Sequence, residues 1–203
     1  MRHHRRSVFR DAPMIDHFAA LSEPRRPWLD LEKLKNRFHI LAATHHPDSG
    51  NANDADSFAS LNKSYSVLRD HAARLRHLLE LEYPNAVAAS AQVPPDLADY
   101  FMQTAAQQRA IREVAGARDE NAPALMKAVR EQKRLAVEAD GRAMLSKLEK
   151  ESERALAEVR ELDALWSLEA APVVARLAQL QIRLAYLGHW IGDLREALLE
   201  LSL

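Results

Sequence analysis

Apolar residues recur at helical spacing along most of the 203-residue chain. The intervals i, i+3, i+7 and i+10, which place side chains along one face of a helix, occur twice before residue 70. The two sets are Leu31, Leu34, Phe38 and Leu41, and Phe58, Leu61, Tyr65 and Leu68. Few stretches alternate apolar and polar residues as a half-buried strand does. The chain is therefore predicted to be all-α.

The second half of the chain carries two longer helical patterns. One runs from about residue 123 to the mid-160s, and Pro172 opens the other. In the last pattern apolar residues alternate spacings of four and three, as in the seam of a coiled coil. This seam consists of Val173, Leu177, Leu180, Leu184, Leu187, Ile191, Leu194, Leu198 and Leu201. Because a seam needs facing helices, the two long helices and the helix predicted after residue 95 should form an elongated three-helix bundle.

Small and turn-forming residues between the two halves predict a linker over 85–95. The chain is accordingly predicted to contain an N-terminal helical domain at 14–84 and a bundle at 96–203. Residues 1–13 begin with the basic run Met1-Arg-His-His-Arg-Arg and are expected to form a flexible tail.

Composition removes several classes of function. The chain has no cysteine, which excludes a disulfide scaffold, a thiolate zinc site and a cysteine nucleophile, and is compatible with a reducing cytosol. A formal net charge of −1 argues against binding nucleic acid through bulk charge. No apolar run reaches the roughly 18–20 residues of a membrane span. We expect a cytoplasmic protein without nucleic-acid or membrane partners.

The candidate chemistry lies in the polar loop predicted between the first two amphipathic helices, at His46-Pro47-Asp48. The tripeptide alone is weak evidence of function, since about a few per cent of chains this long contain it by chance. Pro47 would stiffen the loop, His46 can donate and accept, and the Asp48 carboxylate can bind an arginine of a partner in bidentate fashion. The alternative is an ordinary turn in which Asp48 caps the following segment.

This arrangement resembles the J-domain, by which DnaJ-type co-chaperones engage an Hsp70. The resemblance is closest to the HscB branch, in which a J-domain and a helical bundle serve iron–sulfur cluster assembly. It is strong over residues 14–84 and topological over 95–203. The matching segments are Asp16-His-Phe-Ala-Ala-Leu, Leu29-Asp-Leu-Glu-Lys-Leu, Arg37-Phe38, His46-Pro-Asp, Leu61-Asn-Lys-Ser-Tyr-Ser-Val-Leu-Arg69 and Arg74-Leu-Arg-His-Leu-Leu79.

The resemblance implies that the chain activates an Hsp70 of the HscA or DnaK type and is not itself an enzyme. The catalytic residues would belong to the Hsp70, and no cofactor is implied. This agrees with the absence of a Gly-x-x-x-x-Gly-Lys-Ser/Thr loop from the sequence. The residues implied to bind the Hsp70 are His46, Pro47 and Asp48, with Lys33, Lys35 and Arg37 on the preceding helix; for these cations a merely solvated face is the alternative.

The bundle is implied to bind a client, the iron–sulfur scaffold protein. In HscB-type proteins an apolar patch on the first bundle helix does this, helped by an aromatic residue on the last. Phe101 and Met102 are the candidates on the first helix, with core positions as the alternative. On the last helix, Arg183 falls near the expected aromatic position.

Two other classes of function have less support in the sequence. Histidine pairs such as His45/His46 lack the i, i+4 spacing of a helical zinc site, so no metal site is predicted. A coiled-coil adaptor would use the seam from Val173 to Leu201 between chains and leave the motif vestigial. Light scattering separates these hypotheses, because a seam satisfied inside one chain predicts a monomer.

We predict that Asp48→Asn leaves the fold and the melting temperature nearly unchanged while abolishing stimulation of an Hsp70. The exchange removes the negative charge that a partner arginine would bind, yet it keeps the size of the side chain. Thermal unfolding and ATP hydrolysis by the Hsp70 measure the two effects. A variant that unfolds would show instead that Asp48 is a structural cap.

Overall fold

The computed structural model describes residues 15–44, 52–84, 94–116, 122–166 and 170–202, and the regular elements in these ranges are helices, which confirms the all-α prediction. They are α1 (His17–Ala20), α2 (Leu31–Thr44), α3 (Ala52–Arg69), α4 (His71–Glu82), α5 (Leu97–Gly116), α6 (Ala124–Leu165) and α7 (Ala170–Ser202). Across the described ranges, no helix combines the length and the apolar character that crossing a bilayer requires.

Contacts divide the chain into two compact units. The first comprises residues 1–25 and 31–68, and the second comprises residues 26–30 and 69–203, as far as each is described. Helix α4 therefore belongs to the second unit, where it packs on α7. The sequence places the change of domain later, at 85–95, and most of that segment lies outside the described residues.

In the first unit, α1 is a single turn fixed at both ends. The Asp16 carboxylate accepts hydrogen bonds from the backbone N–H of Phe18 at 3.0 Å and of Ala19 at 3.1 Å. At the other end Ser22 adopts a φ of 53°, and the Glu23 N–H donates to the Phe18 carbonyl at 2.9 Å. This left-handed residue closes the helix as a C-terminal cap commonly does.

Helices α2 and α3 contact each other through Phe38 and Tyr65, one residue from each of the two predicted stripes. The rings of Phe38 and Tyr65 stack with centroids 4.4 Å apart, and Leu34 and Leu68 are fully buried. Leu31 is an exception, with 37% of its surface exposed. It is the first residue of α2, where the predicted stripe runs past the part of the helix that is covered.

In the second unit, the seam of α7 is buried by helices of the same chain. Its first part, from Val173 to Leu184, packs with residues of α4 and α6, including Leu75, Leu79 and Val159. Its second part, from Leu187 to Leu201, packs with residues of α5 and α6, including Ile111 and Leu148. The predicted seam is therefore a core, and only its member Leu198 is half-buried rather than buried.

Gly141 lies inside α6, where the three bundle helices approach closely. A Cβ atom at this position would lie 2.8 Å from Leu198 Cδ2 and 3.3 Å from Ile111 Cδ1. A glycine in a helix costs about 1 kcal/mol relative to alanine. Here the missing side chain lets α5 and α7 pack against α6.

Residues 26–30 are held in the second unit by hydrogen bonds with Asp163 and Arg74. The Asp163 carboxylate accepts from Arg26 Nε at 3.0 Å and from the Trp28 N–H at 2.9 Å. Arg74 is fully buried and donates from Nε to the Pro27 carbonyl at 3.1 Å and from Nη2 to His71 Nδ1 at 2.7 Å. Since a guanidinium only donates, Nδ1 of His71 must be unprotonated.

We predict that His71 makes the protein less stable in acid. Burial, and secondly the charge of Arg74, lower the pKa of His71 to about 4 from an ordinary value of 6.5. As pH falls, His71 therefore binds a proton near pH 6.5 in the unfolded chain but only near pH 4 in the folded chain. The free energy of unfolding should fall as pH decreases between these values and should not fall further for this reason below them.

The variant His71→Phe keeps a ring beside Trp28, whose centroid lies 5.9 Å from that of His71. Urea unfolding across this pH range should give a shallower slope for the variant than for the wild type. Above pH 6.5 the difference between the two proteins should be constant, which serves as the internal control. Equal slopes would refute the role given to His71.

Candidate functional site

The first candidate site is the connection between α2 and α3. Helix α2 ends at Thr44, whose hydroxyl donates to the Leu41 carbonyl at 2.7 Å, and α3 begins at Ala52. His46, Pro47 and Asp48 fall between these ends and lie outside the described residues. The two helices on either side of the motif are present as predicted, and they contact each other.

The three predicted cations of α2 are exposed, but they do not share one side of the helix. Lys33 and Arg37 are separated by four residues and are therefore neighbours on the surface. Lys35 is two residues from each and points to a different side, which it shares with His39. The structure brings two of the three together and separates the third.

The cations also differ in what they bind. Arg37 Nε lies 3.4 Å from Glu23 Oε1. Lys35 makes no ion pair with any residue that the structure describes. Ile40, on the same side of α2 as Arg37, has 69% of its surface exposed. The side with Arg37 is therefore a partly neutralised surface with an apolar residue, and the side with Lys35 retains its charge.

The second candidate site lies on α5. Phe101 is 54% exposed and Met102 is 62% exposed, so neither is a core residue. The buried positions of α5 are Leu97, Thr104 and Ile111, which lie seven residues apart. Phe101 and Met102 therefore belong to the surface, as a binding patch requires.

Aromatic residues of α7 extend this patch. Trp190 is 6% exposed, and its ring centroid lies 6.3 Å from that of Phe101 and 5.6 Å from that of Tyr186. Tyr186 itself is 37% exposed. Phe101, Tyr186 and Trp190 together form what we call the aromatic surface, to which both α5 and α7 contribute.

The sequence did not identify Tyr186 or Trp190 as part of the site. The aromatic position was expected near Arg183, three residues and about one helical turn earlier. Arg183 instead donates to Glu151 of α6 at 2.7 Å and also hydrogen-bonds Asp96. A usable signal was present, because Tyr186 and Trp190 are four residues apart and each directly precedes a seam residue.

Among the described residues, no three side chains of histidine, aspartate or glutamate are grouped so that they could bind a metal ion.

The second unit has an open groove of about 510 Å³ beside Trp28, lined by residues of α6 such as Leu156 and Arg160. In that groove the Arg160 guanidinium lies over the Trp28 ring at 5.6 Å. The aromatic surface is a separate feature, on α5 and α7.

No family model matches the chain, and no curated protein does either. Among solved structures, the chain is similar to the chaperone HscB from Vibrio cholerae at 16% sequence identity. The similarity covers 90% of this chain and 96% of that chain, with a TM-score of 0.49.

We predict that Phe101→Ser combined with Met102→Ser lowers the free energy of unfolding by about 1 kcal/mol or less, since exposed side chains contribute little to stability. Leu97→Ala, a change at a fully buried residue of the same helix, should cost about 3 kcal/mol. Urea unfolding of the three proteins measures both. A double variant as unstable as Leu97→Ala would show that Phe101 and Met102 are packed in the core.

Proposed function

We propose that this protein is a J-domain co-chaperone that stimulates the ATPase of an Hsp70 partner and delivers a client to it. The observation that supports this most directly is the placement of His46-Pro47-Asp48. The motif lies between two amphipathic helices that contact each other through Phe38 and Tyr65. A chance tripeptide would not be expected in that position after a helix with exposed cations.

In this proposal the chain supplies contacts and the Hsp70 supplies the chemistry of hydrolysis. Asp48 would accept a bidentate hydrogen bond from an arginine of the Hsp70, and Pro47 would limit the entropy lost on binding. The exposed cations of α2 would draw the helix toward an acidic surface and mainly raise the association rate. Lys35 is the cation best placed for this, because Arg37 is already paired with Glu23.

The client in this proposal binds the aromatic surface of the second unit. Exposed apolar side chains around a nearly buried tryptophan are typical of binding sites, where a few aromatic residues supply most of the affinity. The iron–sulfur scaffold protein is the proposed client, from the resemblance of the sequence to the HscB branch. The Phe101→Ser, Met102→Ser variant should lose scaffold binding and retain Hsp70 stimulation.

The adaptor hypothesis is less well supported. It requires the seam of α7 to face a second chain, whereas residues such as Leu177, Leu187 and Leu194 are fully buried within one chain. An adaptor would therefore need another surface. Light scattering should accordingly report a monomer.

We predict that His46→Gln abolishes stimulation in single-turnover ATP hydrolysis by a purified Hsp70 from the same source. The wild type should speed hydrolysis, and His46→Gln should leave it at the rate of the Hsp70 alone. His45→Gln is the matched control, because it makes the same exchange one residue outside the motif and should stimulate normally.

Two outcomes of this experiment would contradict the proposed function. One is equal stimulation by His46→Gln and the wild type. The other is a wild type that stimulates none of the Hsp70 proteins of its source.

A further inference from the structure

We propose that Arg183 is a positioning residue for the aromatic surface. It holds the start of α5 against α6 and α7, so that Phe101 of α5 and Tyr186 of α7 form one continuous surface. The inference rests on the client-binding role proposed for that surface.

The contact of Arg183 joins three parts of the bundle. From α7, its Nη1 donates to Glu151 Oε1 of α6 at 2.7 Å, and its Nη2 donates to Asp96, the residue before α5. The side chains of Arg183 and Glu151 are only 15% and 17% exposed, whereas that of Asp96 is 56% exposed. The charge-assisted bond to Glu151 is therefore largely withdrawn from water, where such bonds are stronger, and it holds the guanidinium in place to bind Asp96.

Helix α5 depends on such a contact because it buries few apolar side chains. Between the buried residues Leu97 and Ile111 lies Thr104, which is 2% exposed. Its hydroxyl oxygen has no hydrogen-bond partner among the residues that the structure describes. A buried hydroxyl without a partner destabilises its surroundings. Thr104 therefore does not help to fix the position of α5 near Phe101, and the part-buried bond from Gln107 Nε2 to the Val137 carbonyl, at 2.9 Å, lies further along the helix and reaches α6.

Other polar contacts of α5 do not replace the one at Asp96. Lys147 of α6 lies over the Tyr100 ring at 5.1 Å and donates to Gln103 at 2.8 Å, but this contact reaches α6 rather than α7. Gln108 donates to Asp193 of α7 at 3.4 Å, about two turns beyond Phe101. Near Phe101, the bridge from Asp96 to Arg183 is thus the polar contact that joins α5 to α7.

The bridge adjoins the aromatic surface on both helices. Tyr186 follows Arg183 by three residues and is its neighbour on the face of α7. Phe101 follows Asp96 by five residues, about one and a half turns along α5. Releasing Asp96 would let the start of α5 move away and separate Phe101 from Trp190.

Two substitutions break the bridge from opposite ends, namely Arg183→Met and Asp96→Asn. Arg195→Met is the matched control, because it removes an ion pair between the same helices α6 and α7, with Glu149 at 2.7 Å, and leaves α5 untouched. Hydrogen–deuterium exchange over residues 97–104 reports how firmly α5 is held. Titration with the iron–sulfur scaffold protein reports the affinity of the surface.

Both test variants should exchange faster over 97–104 and bind the scaffold about tenfold more weakly, whereas the control should do neither. Arg183→Lys keeps the charge but loses the planar fork, and should give an intermediate loss. The double variant should bind no more weakly than Arg183→Met, since both changes act through one bridge. Hsp70 stimulation should be unchanged in all of them, which shows that the first unit is folded, and unchanged circular dichroism shows that the bundle is folded as well.

Unchanged exchange over 97–104 in Arg183→Met, or an equal loss of affinity in Arg195→Met, would overturn the inference. A wild type that does not bind the scaffold would refute the proposed client. If exchange over 97–104 still depended on Arg183 in that case, the positioning role would stand. The two failures are therefore distinguishable.

Discussion

The burial of one apolar stripe determines the architecture of the second unit. Helix α7 contributes residues to both hydrophobic cores, one shared with α4 and α6 and the other with α5 and α6. Each buried leucine or valine of this stripe contributes on the order of 2 kcal/mol. Because the stripe is covered within one chain, the other three helices must pack around α7. The surface available for binding is what remains beside the stripe, and Tyr186 lies there.

Much of this fold could be predicted from the sequence because the information is local. The period of apolar residues identified α2, α3, α6 and α7, and it identified the α7 seam almost residue by residue. The packing of α4 on α7 could not be predicted in this way, since Leu75 and Leu79 fit a helical stripe whichever element covers them. The full burial of Arg74 could not be predicted from the sequence either. Its burial depends on the Pro27 carbonyl, which is distant in sequence.

The candidate sites also differ in whether local sequence or packing between distant segments determines them. The motif at His46, Pro47 and Asp48 was found from the sequence alone, because its chemistry is carried by adjacent residues in a recognisable setting. Lys33, Lys35 and Arg37 are close in sequence, but the helix turns Lys35 away from Arg37. The aromatic surface could be found only in part, since Phe101 and Trp190 meet across two helices. Its position depends on packing that no single segment determines.

The three tryptophans of the chain, Trp28, Trp166 and Trp190, all belong to the second unit, and the first unit contains none. Intrinsic tryptophan emission therefore observes the bundle directly, whereas the helices on either side of the His46 motif have no indole of their own. Circular dichroism averages over the helices of both units. A melting curve followed by emission and one followed by circular dichroism will coincide only if the two units unfold together. The placement of the tryptophans thus gives the protein a built-in optical measure of whether its two halves are thermodynamically coupled.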